Sequence, residues 1–440
     1  MASQPTEKDG GDGGPRHSRR LAVDLTPLRE SRDFRLLWLG ELVSTTGTQV
    51  TLVAVFIQVY DLTGSSAAVG LVGLAQLLVM VVVTVFGGPL IDRFDRRRLL
   101  LFAQVGQAAT TLLLLAGAIA GDPPLLLVYT AAGVAAGLGG FGLSARSAIV
   151  PNVVRPPMLS TALALNQVMW NTCLLVGPAV GGLLVGRVGL SWAYGIDAIS
   201  FAIGLLFFIA LSPSRPKDVT APDGAKAIWE GVRYLKGRRV LQSTFTADLV
   251  AMIFGMPRAL FPVLAMTQFD AGAEVVGILF SAVSVGALLG ALTTGWVQRV
   301  RRQGLAVLVA IAVWGAGITA FGLSGSNLAL ALGALAVAGS ADVVSAVFRG
   351  TILQSSIPDA LRGRMSAVHI LVVTGGPRIG DVEAGLVAAA FTPTVSVVTG
   401  GLACIVGMGL LAALVPAFVR YRVDDDGRGV IDGTTAATVE

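Results

Sequence analysis

The chain has 440 residues, of which 54% are hydrophobic and only 13% are charged, and its formal net charge is +5. The surface of a water-soluble protein of this size needs far more charge, so the composition excludes an ordinary soluble protein. The positive charge does not indicate nucleic-acid binding, because the basic residues lie in short segments between long apolar ones.

Uncharged apolar segments recur along the chain, for example between Asp61 and Asp92 and between Arg155 and Arg187. A helix needs about 20 apolar residues to cross the hydrocarbon core of a bilayer. The 55 glycines fit this class, because small residues let membrane helices approach closely. In chain order, the sequence predicts membrane helices at roughly 34–60, 66–91, 98–121, 124–148, 158–186, 191–212, 243–266, 273–298, 304–323, 327–349, 365–390 and 395–419.

The segments around these helices divide the chain. We expect disordered cytoplasmic tails at 1–26 and 421–440, because both are poor in apolar residues. A first six-helix half at 27–212 precedes a cytoplasmic linker at 213–241, and a second half follows at 242–420. Within the linker, an amphipathic helix is expected from Ala227 to Leu241. Its apolar face holds Ile228, Val232 and Leu235, with Glu230, Arg233 and Lys236 away from that face.

Basic residues are distributed unevenly over the predicted loops. Every second loop is basic, whereas the opposite loops together hold a single basic residue, Arg187. Arginine and lysine mark the cytoplasmic loops of membrane proteins. Both termini are therefore expected in the cytoplasm, which requires an even number of helices.

The two halves share an internal repeat. Gly70 lies in a Val-Gly-Leu segment at the start of the second helix, and Gly277 lies in a Val-Gly-Ile segment at the start of the eighth. Gly88 and Gly295 follow at equal distances, and each precedes a cluster of arginines. Two six-helix halves in parallel orientation are typical of one class of secondary transporter.

Two motifs resemble signatures of the major facilitator superfamily. The segment from Gly88 to Arg98 resembles the signature between helices 2 and 3, with Asp95 in place of its second glycine. A second segment resembles the helix 5 signature of the superfamily's antiporters, although Ala164 and Cys173 replace its upstream glycines. The matching residues are Gly88, Asp92, Arg93 and Arg97 in the first motif and Gly177, Pro178, Gly181 and Gly182 in the second.

Further segments resemble the enterobactin-exporter branch, which also contains Tap-like multidrug efflux pumps. They include Thr63 to Ser66, Asp197 with Ala198, and the segment from Pro358 to Arg364. The resemblance implies an all-α membrane protein with the major facilitator fold, about twelve transmembrane helices in two six-helix halves. It also implies a monomeric transporter of the bacterial inner membrane that works by alternating access.

Charged residues within membrane helices are costly and therefore indicate function or pairing. Glu41, two turns into the first helix, is a candidate for proton coupling; alternatively it forms hydrogen bonds with Ser44 or Thr45. Asp248, near the middle of the seventh helix, is expected to bind substrate or a proton, or else to pair with Arg258 or Arg378.

The remaining intramembrane charges favour pairing. Arg258 lies between Pro257 and Pro262, where the seventh helix is expected to bend and to place it in the cavity. Arg378 and Asp381 are three residues apart and are expected to neutralise each other, whereas Glu383 is freer. We expect structural roles for two further acids: Asp197, and Asp342 paired with Arg349 or Arg146.

Four arginines at the predicted cytoplasmic ends are candidates for a gate: Arg146, Arg299, Arg362 and Arg364. The two cysteines lie in apolar segments and favour free thiols. Neither histidine, His17 nor His369, has a metal-ligand partner at useful spacing, so no metal is expected. Motifs for nucleotide binding or covalent catalysis are absent from the sequence, so neither a cofactor nor an enzymatic activity is expected.

The sequence favours a proton-coupled exporter of small amphipathic molecules, as in multidrug efflux. An alternative is a siderophore or lipid-like exporter without drug activity. Anionic siderophores favour free arginines such as Arg258 and Arg378, whereas cationic drugs favour unpaired acids such as Glu41, Asp248 and Glu383. A second alternative is a degenerate transporter that acts as a membrane sensor. The expected partners are a small-molecule substrate, protons and the lipid bilayer.

Overall fold

The computed structural model describes residues 24–214, 224–358, 361–424, 429–431 and 434–435. The predicted disordered tail at 1–23 and part of the linker lie outside the described residues. Within the described helices, the side chains of 84–93 and of Arg362 also lie outside the description. The motif residues Gly88, Asp92 and Arg93 belong to that segment.

The first half consists of six long helices, preceded by a short one. The Ser31 hydroxyl accepts a hydrogen bond from the Phe34 amide and so caps the first long helix, which ends at Gly64 with a positive φ of 60°. The helices are α1 (Thr26–Glu30), α2 (Arg32–Thr63), α3 (Ser66–Arg93), α4 (Arg96–Ala120), α5 (Leu125–Val153), α6 (Leu159–Val188) and α7 (Leu190–Ile209).

The second half repeats this order, and its first membrane helix is broken. That helix ends at Phe254, and a 3-10 turn at Arg258–Leu260 leads into the next segment. The predicted bend beside Pro257 is confirmed. The helices are α8 (Gly224–Leu235), α9 (Arg239–Phe254), α10 (Phe261–Thr267), α11 (Ala273–Thr293), α12 (Gln303–Gly322), α13 (Leu328–Ser356), α14 (Arg362–Ala390), α15 (Pro393–Leu414) and α16 (Pro416–Arg420).

Eleven of the described helical segments are long and apolar enough to cross a membrane, counting α9 and α10 as one. Helix α14 has 29 residues, so it also has the length to cross, but Arg378, Asp381 and Glu383 reduce its hydropathy. Together these are twelve spans. The predicted all-α membrane architecture is confirmed.

Helix contacts within the first half recur within the second. In the first half α3 packs on α5, α4 packs on α7 and α2 packs on α6; in the second half α11 packs on α13, α12 packs on α15 and α9 packs on α14. Each contact in the first half has a counterpart in the second half between the helices that hold the same places in the chain order of that half. The two six-helix halves predicted from the sequence therefore share one internal packing pattern.

The halves meet through two equivalent contacts, α3 with α14 and α6 with α11. At the second, a Cβ atom on Gly277 would lie 2.5 Å from the Pro178 carbonyl oxygen and 3.0 Å from the Gly182 Cα. At the first, a Cβ on Gly70 would lie 2.6 Å from the Asp381 carbonyl oxygen. The repeated glycines of the sequence thus serve the same purpose: they let the halves touch backbone to backbone.

The hydrophobic core shows at which end the halves are joined. We call the end at which α2 begins the inner end and the opposite one the outer end. Near the outer end one cluster spans both halves, and there the Phe56 and Phe280 rings stack with centroids 6.4 Å apart. Near the inner end the cores are separate: Phe34 belongs to the first half and Phe348 to the second. The described structure is closed at the outer end.

The chain after α16 differs from the prediction of a disordered tail. Strands β1 (Arg422–Val423), β2 (Gly429–Ile431) and β3 (Thr434–Thr435) form a small antiparallel sheet in the order β1-β2-β3. The Val423 amide donates to the Arg301 carbonyl oxygen at 3.1 Å, which fixes β1 on the bundle. Backbone pairing of this kind leaves little trace in composition, which is why the sequence did not predict it.

Helix α8 also differs from its prediction. It spans Gly224–Leu235 rather than 227–241, and its packed and exposed faces are not those expected from the apolar pattern. Val232 was expected on the packed face and is 45% exposed. Glu230 was expected in solvent and forms an ion pair with Arg364 instead, with 2.9 Å between Oε2 and Nε.

Replacing Gly277 by leucine tests the close contact between α6 and α11. The side chain would meet backbone atoms, which cannot move aside as a side chain can, so we expect a loss of stability of about 1–3 kcal/mol. The unfolding midpoint of the purified protein in detergent should fall by several degrees. The matched control is Gly333→Leu, because Gly333 has open space around it. Equal midpoints for the two variants would contradict the proposed contact.

Candidate functional site

Two ion pairs occupy equivalent positions in the two halves. Glu41 on α2 pairs with Arg146 on α5. Asp248 on α9 pairs with Arg349 on α13, with 3.1 Å between Oδ1 and Nη2. In both halves the acid is the tenth residue of its helix and the arginine is the twenty-second of its helix. The internal repeat therefore includes a charge pair between the first and fourth membrane helices of each half.

The pair in the first half neutralises Glu41, which the sequence predicted for proton coupling. Thr45 also donates to the Glu41 carboxylate at 3.2 Å, which confirms the predicted hydrogen bond. Arg146 was predicted at a cytoplasmic gate; its side chain is buried in this pair. The arrangement satisfies both charges within one half.

The pair in the second half corrects the prediction for Asp248, whose partner is neither Arg258 nor Arg378. The helix break after Phe254 separates Arg258 from Asp248 and directs it to α14. Asp248 and Arg349 are almost fully buried, with 2% and 5% of their side chains exposed. A charge pair at this depth is costly to break, because either partner alone would be left without compensation.

Arg349 also lies 3.7 Å from Asp342, which confirms the pairing predicted for that acid. One guanidinium thus serves two carboxylates, and it also donates to the Ser345 hydroxyl at 2.7 Å. The position of Asp342, the fifteenth of α13, is held by Gly139 in α5. The second half therefore has one more acid in this cluster than the first half has.

Arg258 and Asp381 form the third buried pair, with 2.8 Å between Nη2 and Oδ2. Arg378, which was predicted to neutralise Asp381, forms no ion pair with it. The Arg378 guanidinium turns back along α14 and donates to the Thr374 carbonyl oxygen. None of the described acids lies within ion-pair distance of Arg378. Glu383 likewise has no described ion-pair partner, as the sequence predicted.

A second copy of the helix 5 motif explains where the third pair lies. Gly177, Pro178 and Gly181 on α6 recur at the same spacing as Gly376, Pro377 and Gly380 on α14. A Cβ on Gly380 would lie 2.5 Å from the Met252 carbonyl oxygen, so α14 touches α9 just before its break. This copy was not predicted from the sequence, although its Gly-Pro-x-x-Gly spacing is a local signal that could have revealed it.

Comparison of the two copies shows how the halves have diverged. In this alignment Arg378 takes the place of Ala179, and Asp381 takes the place of Gly182. Gly182 of α6 packs against α11, whereas Asp381, in the same place on α14, carries a charge and pairs with Arg258 after the helix break. The charged residues are therefore an addition to a repeated scaffold.

The arginines of the helix 2–3 motif hold helix ends together within the first half. Arg97 donates to the carbonyl oxygens of Phe208, at 3.3 Å, and Ile209. Arg96 donates to the Ala148 carbonyl oxygen at 2.9 Å. These contacts tie the start of α4 to the end of α7 and to the last turns of α5, and the Ile209 carbonyl is one of those that lack a helical partner at the end of α7.

Two other candidate gate residues, Arg299 and Arg364, lie apart from the three buried pairs, and the side chain of Arg362 lies outside the described residues. Arg299 is exposed at the inner end, and Arg364 is paired with Glu230 of α8. Asp197, predicted to be structural, is fully buried and accepts hydrogen bonds from Thr51 at 2.5 Å and Thr111 at 3.0 Å. It ties α7 to α2 and α4.

The comparison with known protein families agrees with this architecture. The profile of the transmembrane secretion effector family, a group of major facilitator transporters, matches residues 22–425. The chain belongs to this family. It is therefore a multi-pass membrane transporter.

Curated relatives of this secretion effector include enterobactin exporters. The chain is 27% identical over 400 residues to the enterobactin exporter EntS of Citrobacter koseri, covering 91% of this chain and 96% of the relative. It is 28% identical over 399 residues to EntS of Escherichia coli K12, covering 91% and 95% of the two chains.

Solved structures show the same fold at low sequence identity. The nucleoside transporter NupG superposes with a TM-score of 0.73 at 13% identity, covering 87% of this chain and 99% of that one. A POT peptide transporter gives 0.70 at 15% identity, with 89% and 95% covered. The human organic anion transporter TETRAN gives 0.58 at 15% identity, with 86% and 99% covered.

Replacing Arg349 by glutamine tests the buried charge cluster. The variant would leave Asp248 buried without a counter-charge and would remove the partner of Asp342, so we expect a loss of about 3–5 kcal/mol in unfolding free energy. Unfolding of the purified protein in mixed detergent micelles measures this loss. The double variant Asp248→Asn with Arg349→Gln should recover part of it.

The matched control is Arg187→Gln. Arg187 pairs with Glu274 at 3.3 Å, but 72% of its side chain is exposed, so its loss should cost about 0–1 kcal/mol. The interpretation fails if the two single variants lose the same stability.

Proposed function

We propose that the chain exports small anionic organic molecules of the siderophore type across the bacterial inner membrane. The observation that carries this proposal is the charge balance beside the broken helix. Arg258 is neutralised by Asp381, and Arg378 adds a further positive charge three residues before that acid. A cation without an ion-pair partner inside a membrane protein favours an anionic ligand.

The pairing of the acids also supports an anionic substrate. Export of cationic drugs would favour unpaired carboxylates, but Glu41 and Asp248 both pair with arginines. Of the acids predicted for cation binding, Glu383 alone has no described ion-pair partner. The charge pattern therefore favours the siderophore alternative over multidrug efflux, and the names of the curated relatives support it.

Alternating access supplies the transport step in this proposal. The halves are packed together at the outer end and have separate cores at the inner end. With the basic loops in the cytoplasm, this is a state that admits substrate from the cytoplasmic side. Rocking of one half against the other about the α3–α14 and α6–α11 contacts would open the outer end. Each polypeptide has both halves, so a monomer suffices.

We further propose that export is coupled to proton entry and that the proton binds the cluster around Arg349. Asp248 and Asp342 share this one arginine, so the cluster has one acid in excess, whereas the Glu41–Arg146 pair is balanced. A proton would neutralise the excess carboxylate. It would thereby change the attraction between α9 and α13, helices of the moving second half.

Substitution of Arg378 tests the substrate charge. Loss of a charge-assisted contact is worth about 1.5–3 kcal/mol, so Arg378→Gln should lower siderophore secretion by about tenfold or more. Arg378→Lys keeps the charge and should retain part of the export. Secretion by a deletion strain carrying each variant is the measurement.

The exposed Arg29 provides the control, since Arg29→Gln should leave secretion unchanged. Normal siderophore secretion by Arg378→Gln would contradict an anionic substrate at this residue. Loss of cationic dye efflux in the deletion strain would show that the substrate is a cation.

A pH gradient across proteoliposomes tests the coupling. Export by the wild type should rise when protons can flow inward, and Asp342→Asn should export at a rate that no longer responds to the gradient. The matched control is Glu274→Gln, which removes an acid from an exposed pair. Wild-type export that does not depend on the gradient would exclude coupling. A response retained by Asp342→Asn would show that the proton binds another acid.

A further inference from the structure

Helix α8 presents a face that the described part of the protein does not cover. On its packed side, a Cβ on Gly231 would lie 2.6 Å from Val368 and 2.9 Å from the Arg364 carbonyl oxygen of α14. On the opposite side Trp229 is 69% exposed, and Arg233 and Lys236 are exposed as well. The spacing of four residues places Trp229 and Arg233 on one face of α8. Lys236 lies in the turn that directly follows the helix.

The orientation of α8 is fixed by its contacts with the second half. Glu230 pairs with Arg364, and Tyr234 and Leu235 pack on the cluster that contains Leu241 and Met365. The helix cannot turn its exposed face toward the bundle without breaking these contacts. Trp229 and the basic residues therefore stay directed away from the protein.

The position of α8 places this face at the boundary of the membrane. The helix lies between the end of α7 at Ile209 and the start of α9 at Arg239, and it contacts α3 and the first turns of α14. This is the inner end of the bundle, where the loops are basic. Tryptophan prefers the headgroup level of a bilayer, and anionic lipids attract lysine and arginine there.

We propose that α8 is an interfacial helix that binds anionic phospholipid headgroups of the cytoplasmic leaflet. Trp229 and Val232 lie in the interfacial region, and Arg233 and Lys236 bind lipid phosphates. Charge complementarity identifies the occupant: the exposed face carries two cations, while the acid of this segment, Glu230, is turned inward and paired. An indole that is permanently exposed at this level is covered by lipid without any further partner.

The binding has a mechanical consequence. Through Glu230 and Gly231 the helix is attached to the start of α14, the helix that carries Arg378 and Asp381 and forms one of the two contacts between the halves. Lipid composition would therefore act on the end of a helix that moves during transport.

Quenching by brominated lipids tests the proposal on the full-length protein in nanodiscs. The discs contain brominated phosphatidylglycerol or brominated phosphatidylcholine at increasing mole fractions. The difference in fluorescence between the wild type and Trp229→Phe isolates the signal of Trp229. This signal should be quenched at a lower mole fraction of the anionic lipid than of the zwitterionic one.

The double variant Arg233→Gln with Lys236→Gln should lose this preference, since each basic residue near an anionic surface contributes about fivefold in affinity. The control is Arg29→Gln with Arg32→Gln, which removes two exposed charges at the same end and should keep the preference. An unquenched Trp229 would overturn the interfacial position. Equal quenching by both lipids, or a preference that survives the double variant, would overturn headgroup binding.

Discussion

A charge buried among membrane helices must be compensated, and much of this structure follows from that constraint. Water cannot solvate the charge, so an opposite charge or several hydrogen bonds must do so. Glu41 and Asp248 are compensated by arginines on the fourth membrane helix of their half, and Asp381 is compensated by Arg258 across the helix break. Asp197 has hydroxyl donors from two neighbouring helices instead.

The internal repeat distinguishes the contacts that both halves share, which form the scaffold, from the charged residues that occur in one half alone. The first-to-fourth helix pair and the glycine contacts between the halves occur twice, so they belong to the scaffold. Asp342, Arg378 and Asp381 occupy places held by glycine or alanine in the first half. At these repeated places the added charges therefore lie in the second half, and the proposed substrate and proton sites both lie there.

The sequence predicted the architecture well, because each membrane helix is a continuous apolar segment and each loop predicted to be cytoplasmic carries basic residues. It also placed the helix break beside Pro257. The pairings were harder to predict. Arg378 and Asp381 look paired from their spacing, but the acid pairs with Arg258, 123 residues away along the chain. Partners of this kind depend on helix packing, which no local pattern encodes.

The most direct test of the central claim is equilibrium binding to the purified protein in detergent. A siderophore that carries free carboxylates and a cationic dye of similar size would be compared at low and high salt. We expect that the anion binds, that the dye does not, and that salt weakens binding of the anion. Binding of the dye without binding of the siderophore would contradict the proposed anion site.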